Sequence, residues 1–321
     1  MRRLAVAAVC ASATAFAPVR AVLGGAGTAL FGEDEVVDAV LALCDRREGP
    51  LVAYLGTATY DLRAPREAQT RALAARGARV AAVDVARARA TRDDLATLAR
   101  ADAVLVSGGN TLYAVDRWRR AGLVAPLRAA MERGAVLCGG SAGAICWFDG
   151  GHSDSMDPES FLGAALARHA RGGAGAADDA SAAAAPGAAA AAWEYIRVPG
   201  LGFLPGLCCP HHDRVQSNGV PRADDFDRML ARHPGEVGVA IDHFSALVVD
   251  EGRYRVLSIP RLQGDRGGTP WVFRKHVEGG EVRAARVPQD GGLHELTRAA
   301  VEIASDPRLD LARAQNPSAI D

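Results

Sequence analysis

From about Val19 onward, short runs of Val, Ala and Leu alternate with stretches whose apolar residues recur at helical spacing. Val19 to Leu23 reads as a strand ending in Gly24-Gly25. Glu33 to Cys44 reads as a helix, with Val36, Val37, Val40 and Leu41 on one face and Asp34-Glu35 at its positive end. Leu51 to Leu55, Ala78 to Val83, Ala103 to Val106 and Ala135 to Cys138 are further strands. Between them lie helices at Pro65 to Ala75, at Thr91 to Arg100 with Thr91 as N-cap, and from Pro126 to Gly134. Strands this continuously apolar, set between helices, indicate a parallel sheet covered on both faces, so the expected fold is α/β and doubly wound. After Val237 the texture changes. Val237 to Ile241, Ala246 to Val249, Tyr254 to Leu257 and Trp271 to Phe273 are short strands split by turns, as in an antiparallel extension.

Two segments break this pattern. Met1-Arg2-Arg3, an apolar stretch to Cys10 and Ala13-Thr14-Ala15 have the layout of a targeting presequence over residues 1–18, and Ala-Phe-Ala-Pro at 15–18 resembles a plastid cleavage motif. A plastid or secretory destination follows if that segment is a presequence, and the cytoplasm otherwise. From 163 to 192 the chain is nearly all Ala and Gly, with no apolar stripe to dock a helix, and is expected to be a disordered surface insertion. The α/β domain is thus expected over 19–275, with a C-terminal extension at 276–321.

Composition narrows the function. The 37 basic residues balance 38 acidic ones, leaving no single-sign field for nucleic acid. No stretch reaches the ~18 apolar residues that would cross a bilayer, so the chain is expected to be soluble. The six cysteines include an adjacent pair, Cys208 and Cys209, but no C-x-x-C, and read as buried free thiols and not as a disulfide or zinc framework.

The chemistry concentrates at strand ends. Gly139-Gly140-Ser141-Ala142-Gly143 fits G-x-S-x-G between a strand and a helix-compatible run, Ala144 to Phe148. Such a turn lifts a serine hydroxyl above the sheet edge and turns the Ala142 N–H toward a developing oxyanion. Ser107-Gly108-Gly109-Asn110-Thr111 ends the neighbouring strand, where Gly109 can supply a second N–H. A base is still required, and His is the usual one. His152 falls in an exposed-looking turn, His169 beside the insertion, His233 at a helix end, and His276 and His294 in the polar C-terminal part. That leaves His211, His212 and His243, with Asp154 and Asp242 as acids to orient the base. His211-His212-Asp213 alone supplies too few fixed ligands for a metal, and none is expected.

Ser-Gly-Gly-Asn-Thr at 107–111, Gly-Gly-Ser-Ala-Gly-Ala at 139–144, Cys-Pro-His-His-Asp at 209–213 and Val-Ala-Ile-Asp at 239–242, in this order, resemble the peptidase E and cyanophycinase family of serine peptidases. The resemblance runs from about Val19 to Arg274. It implies a class I glutamine amidotransferase-like α/β sandwich and a cofactor-free peptidase acting on small peptides, the founding activity being α-aspartyl dipeptidase. Ser141 would be the nucleophile, His211 the base, and Gly109 with Ala142 the oxyanion hole. Asp242 is the first choice for the third triad member and Asp154 the second, or a substrate contact. Asn110, Asp213 and Arg214 are candidates for holding substrate, and a homodimer is one assembly open to the chain. Cyanophycinase-like members tend to carry Asp-Gln after the paired glycines, whereas Asn110-Thr111 follows the peptidase E branch. A cyanophycinase-like exopeptidase is the alternative within the family, and two other readings stand beside it. A silent homologue would bind a small molecule or peptide without turnover, and a glutaminase-like amidotransferase would want Cys where this chain has Ser141.

Overall fold

The computed structural model describes residues 19–45, 48–170 and 192–297. The candidate presequence with Cys10, positions 171–191 of the Ala/Gly-rich insertion, and residues 298–321 lie outside the described residues. The chain opens with β1 (Ala21–Gly24), β2 (Leu51–Leu55), β3 (Arg79–Ala82), β4 (Ala103–Val106) and β5 (Val136–Gly140). There follow β6 (Phe148–Ser153), β7 (Ile196–Pro199), β8 (Leu204–Cys209) and β9 (Gly238–Ile241). The last strands are β10 (Ser245–Asp250), β11 (Arg253–Ser258), β12 (Val272–Glu278), β13 (Glu281–Arg286) and β14 (Asp290–Gly292). Helices among them are α1 (Thr28–Phe31), α2 (Asp34–Leu43), α3 (Arg63–Ala75), α4 (Arg92–Arg100), α5 (Thr111–Arg120), α6 (Val124–Glu132), α7 (Ala142–Ile145), α8 (Leu162–Ala170), α9 (Arg222–Arg232) and α10 (Leu293–Thr297).

The fold is α/β, with its strands divided between two sheets. The first has the order β14-β11-β10-β1-β5-β4-β2-β3, parallel from β1 to β3, with β10, β11 and β14 joined antiparallel at its other side. Every residue of β1, β4 and β5 is buried, as strands covered on both faces must be. The second sheet runs β13-β12-β9-β8-β6-β7, with β6, β8 and β9 parallel. The antiparallel extension anticipated after Val237 is therefore shared out: β10 and β11 widen the first sheet, while β9 and β12 belong to the second. One core serves both sheets, bringing Leu23, Val106 and Leu137 together with Trp147, Leu204, Val239 and Ile241. Each such side chain stabilises by about 1.5–3 kcal/mol when fully buried.

Local chemistry explains the element ends. Thr91 Oγ1 accepts from Asp94 N while the Asp94 carboxylate accepts from Thr91 N, a capping box that starts α4. Asn110 caps α5 by accepting from Tyr113 N. That helix buries Thr111, Ala114, Val115 and Trp118, one face at helical spacing, and places Arg117, Arg119 and Arg120 at its negative end. Residues 163–170 of the expected insertion form most of α8. Strand β12 crosses position 275, and Val287 and Leu296 beyond it join the common core. No helix among the described residues is long and apolar enough to cross a membrane.

Candidate active site

The two sheets meet at the carboxyl ends of β1, β4, β5, β8 and β9. Strand β5 ends at Gly140, and Ser141 follows with φ 55° and ψ −123°, outside the region a serine favours. Conformations of this kind cost on the order of 1–3 kcal/mol and persist where surrounding structure fixes them. The carbonyl of Ser141 accepts from Ala144 N at 2.9 Å and Ile145 N at 3.1 Å, starting α7, and its own N–H donates to Gly24 O at 3.2 Å. Helix α7 is one turn long because Phe148 already begins β6, so the helix-compatible run to Phe148 is cut short. What it offers a ligand is local: the Ala142 N–H, at the first helical position, has no acceptor within the helix.

Gly143 lets this turn press on the end of β4. A Cβ there would lie 2.3 Å from Val106 O and 3.2 Å from Ser107 O, so the elbow and the Ser107–Asn110 loop share one surface. Gly109 stands in that loop. The side chain of Asn110 is committed to structure: besides capping α5, its Nδ2 donates to Ser155 O and Ser160 Oγ, both at 3.0 Å.

His211 arrives from the second sheet, two residues beyond β8. Its backbone also lies at positive φ (50°), and its N–H donates to Gly25 O at 3.1 Å. The consecutive carbonyls of Gly24 and Gly25 therefore hold the amides of Ser141 and His211, which is how residues 70 positions apart in the chain come to one edge. Among the described residues no hydrogen bond joins the Ser141 hydroxyl to His211. Such bonds commonly tighten only with substrate bound. His211 is buried, and burial first, then the neighbouring His243 ring and the guanidinium charges of Arg222 and Arg214, holds it well below the usual imidazole pKa.

The acids expected to orient His211 are engaged elsewhere. Asp242 Oδ1 pairs with His212 Nδ1 at 3.1 Å, and Oδ2 accepts from Trp271 N at 2.9 Å. Asp154 follows β6 and accepts from Gln216 Nε2 at 2.7 Å and from the buried Arg222 Nη1 at 3.1 Å. Burial works to raise the Asp154 pKa, but the charge of Arg222 and these bonds outweigh it and lower it. Facing His211 Nδ1, at 2.7 Å, is His243 Nδ1. Asp213 and Arg214, expected to hold substrate, are bound to each other at 3.2 Å and both to Gln263. Asp213 Oδ1 also accepts from His243 N at 2.7 Å, and the Arg214 guanidinium lies 5.0 Å over Phe244. Gln216, Arg222 and the glycine carbonyls were not singled out by the sequence reading. Paired glycines at the end of β1 were the visible signal for the last.

His152 is not in an exposed turn. It lies within β6, fully buried against Tyr195 and Phe226, with Nε2 3.0 Å from Asp225 Oδ1 and Nδ1 without a partner. Burial lowers its pKa to about 4 in spite of Asp225. Unfolded, it titrates near 6.5, so between these values the unfolded chain binds more protons. Stability should be full above about pH 6.5 and fall toward pH 4 by about 3 kcal/mol from this group. Urea unfolding at pH 7.5 and 4.5 checks it: His152→Gln should lose clearly less than the wild type on acidification, and equal losses would refute the assignment.

Comparison with known proteins places the chain among peptidases. The signature of Peptidase family S51 matches residues 21–167, a span that contains Ser141. A protein named G2/mitotic-specific cyclin-1 in Trypanosoma brucei brucei is 31% identical over 285 residues, covering 84% of this chain and 82% of its own. Peptidase E of Citrobacter koseri is 44% identical over 62 residues, 19% of this chain and 27% of that one. The crystal structure of a peptidase from an acI-B1 actinobacterium has the same fold, with a TM-score of 0.54 at 15% identity, covering 86% of this chain and 98% of its own. The chain belongs to peptidase family S51. It is a serine-type peptidase of the peptidase E kind.

Proposed function

We propose that the chain hydrolyses small peptides by way of an acyl-enzyme on Ser141. The observation that carries this is the strained backbone of Ser141 at the junction of β5 and α7, tied through Gly24 and Gly25 to His211. His211 Nε2 takes the hydroxyl proton as Oγ attacks the substrate carbonyl, and returns it to the leaving amine. The N–H groups of Ala142 and Gly109 receive the oxyanion, and water activated by His211 then releases the acid. No cofactor enters this chemistry. Ser141 is 6% exposed, a depth that suits a short peptide better than the middle of a folded chain.

Two substrate preferences follow from different features. The family resemblance points to an Asp-X dipeptide. Against it, Arg214 and Arg222 are both already paired with carboxylates. Beside Asn110 opens a groove of about 640 Å³ whose wall is mostly Tyr60, Leu112, Tyr113, Met156 and Phe161, with Asp116 and Ser155 at it as well, and which favours an apolar or aromatic side chain. The regulatory name of the trypanosome relative describes that protein, and nothing in this site calls for it.

The test is fluorophosphonate labelling mapped by mass spectrometry, followed by a dipeptide and tripeptide library. A single adduct on Ser141, lost in Ser141→Ala, together with cleavage of short peptides, is the expected result. Adducts elsewhere, or a labelled protein that cleaves nothing in the library, would return the chain to the silent-binder reading.

A further inference from the structure

We propose that His243 is the positioning residue of the base: it, and not a carboxylate, accepts the hydrogen bond from the Nδ1–H of His211, making a Ser141–His211–His243 series. The inference rests on the peptidase reading above and goes one residue beyond it. Its basis is the contact of two Nδ1 atoms 2.7 Å apart. Between two neutral imidazoles so placed there is one proton, and only one of its two positions allows catalysis. With the proton on His211, Nε2 of that ring is a free lone pair for Ser141. With it on His243, His211 Nε2 would carry hydrogen and could not act as a base. The productive form therefore has His243 accepting at Nδ1 and protonated at Nε2.

The surroundings hold His243 in place for this. Its N–H donates to Asp213 Oδ1 at 2.7 Å, and its ring stands edge-on to Phe244 with centroids 4.5 Å apart. Asp242, next to it, closes the turn by accepting Ser245 N at 3.0 Å on its backbone carbonyl, while its carboxylate is taken by His212 and Trp271. Both acids thus act on the backbone or on the neighbouring ring. Among the described residues the His211 ring is hydrogen-bonded to His243 and to no carboxylate.

In the reaction, Oγ of Ser141 bonds to the carbonyl carbon as its proton passes to His211 Nε2 and the carbonyl electrons move onto oxygen. The Nδ1 proton stays on His211 and is shared with His243. When the C–N bond breaks, the Nε2 proton leaves on the amine. A neutral ring stabilises the transient imidazolium less than a carboxylate does, so this base works at lower pH and at lower intrinsic rate.

The test follows the rate of fluorophosphonate attack on Ser141 against pH, with histidine ring NMR alongside. His243→Ala should label about 10²-fold more slowly, and His243→Asn, which restores an acceptor, should recover much of that loss. His243→Glu should raise the acid limb of the profile by about one pH unit or more, because a carboxylate now faces the ring. A low-field ring N–H proton should vanish in His243→Ala and in His211→Ala and survive in Asp242→Asn. The proposal is overturned if His243→Ala labels at the wild-type rate with an unmoved limb, or if that resonance vanishes with Asp242→Asn and survives in His243→Ala. A wild-type chain that takes no label at Ser141 sinks the serine reading instead. The resonance, which needs no turnover, still decides the pairing.

Discussion

Replacing His211 with Ala is expected to lower kcat on a cleaved peptide by about 10⁴-fold or more, and Ser141→Ala by a similar factor, with the double variant no worse than either single one. The reason is that the two side chains act as one unit. A serine hydroxyl at neutral pH is a poor nucleophile until a base takes its proton, and an imidazole with no hydroxyl to serve does nothing for the acyl transfer. The residual rate would come from the Ala142 and Gly109 N–H groups and from substrate binding, which neither substitution touches. His211 lies at φ 50°, so Ala there adds backbone strain of its own, and His211→Asn, better suited to that conformation, is the control for folding. Single-turnover rates with circular dichroism on the wild type and all four variants make the measurement. Losses that multiply in the double variant, or a His211→Ala protein within tenfold of wild type, would remove His211 from the base role.

Much of this site was legible because it sits at strand ends. Strands β2 and β4 begin and end where the run of apolar residues says they should, and G-x-S-x-G and Ser-Gly-Gly-Asn-Thr follow two neighbouring parallel strands. Their meeting at one sheet edge follows from that alone. The second sheet was not legible. Strand β6 reads Phe-Asp-Gly-Gly-His-Ser, polar and glycine-rich with no alternation, yet five of its six residues are buried because β7 and β8 flank it. His152 looked exposed for that reason. Helix α5 was hidden by the glycines ahead of it, although Thr111, Ala114, Val115 and Trp118 keep helical spacing. The partner of His211 was beyond any periodicity. Asp242 and His243 are adjacent in a turn, and which of them faces the base depends on how the turn is pinned, here by Asp213 and Trp271.

That pinning has a weak point in Gly25, where a single methyl group should cost both stability and activity. An added Cβ would sit 1.9 Å from Asp242 O, 2.6 Å from Asp242 C and 2.9 Å from Ile241 O. All three are backbone atoms, and none can retreat cheaply. Ile241 ends β9 inside the common core, and the Asp242 carbonyl accepts from both Ser245 N and Ser245 Oγ at 3.0 Å. The Gly25 segment must therefore move instead, and its own bonds go with it: Gly25 N to Ser245 O at 2.9 Å, and His211 N to Gly25 O at 3.1 Å. Overpacking alone costs about 1–3 kcal/mol, and the lost buried backbone bonds raise the expected loss for Gly25→Ala to about 4 kcal/mol. Whatever protein stays folded should turn over poorly, because Ser141 and His211 hang on the neighbouring carbonyls. Gly163→Ala in α8 is the comparison. Nothing lies within 4 Å of a Cβ there, and Ala in a helix should leave stability unchanged or raise it by up to about 1 kcal/mol. Urea midpoints and kcat for the two variants decide the matter: Gly25→Ala melting with the wild type would mean that the β1 loop yields without cost and that the amides of Ser141 and His211 are not held by it.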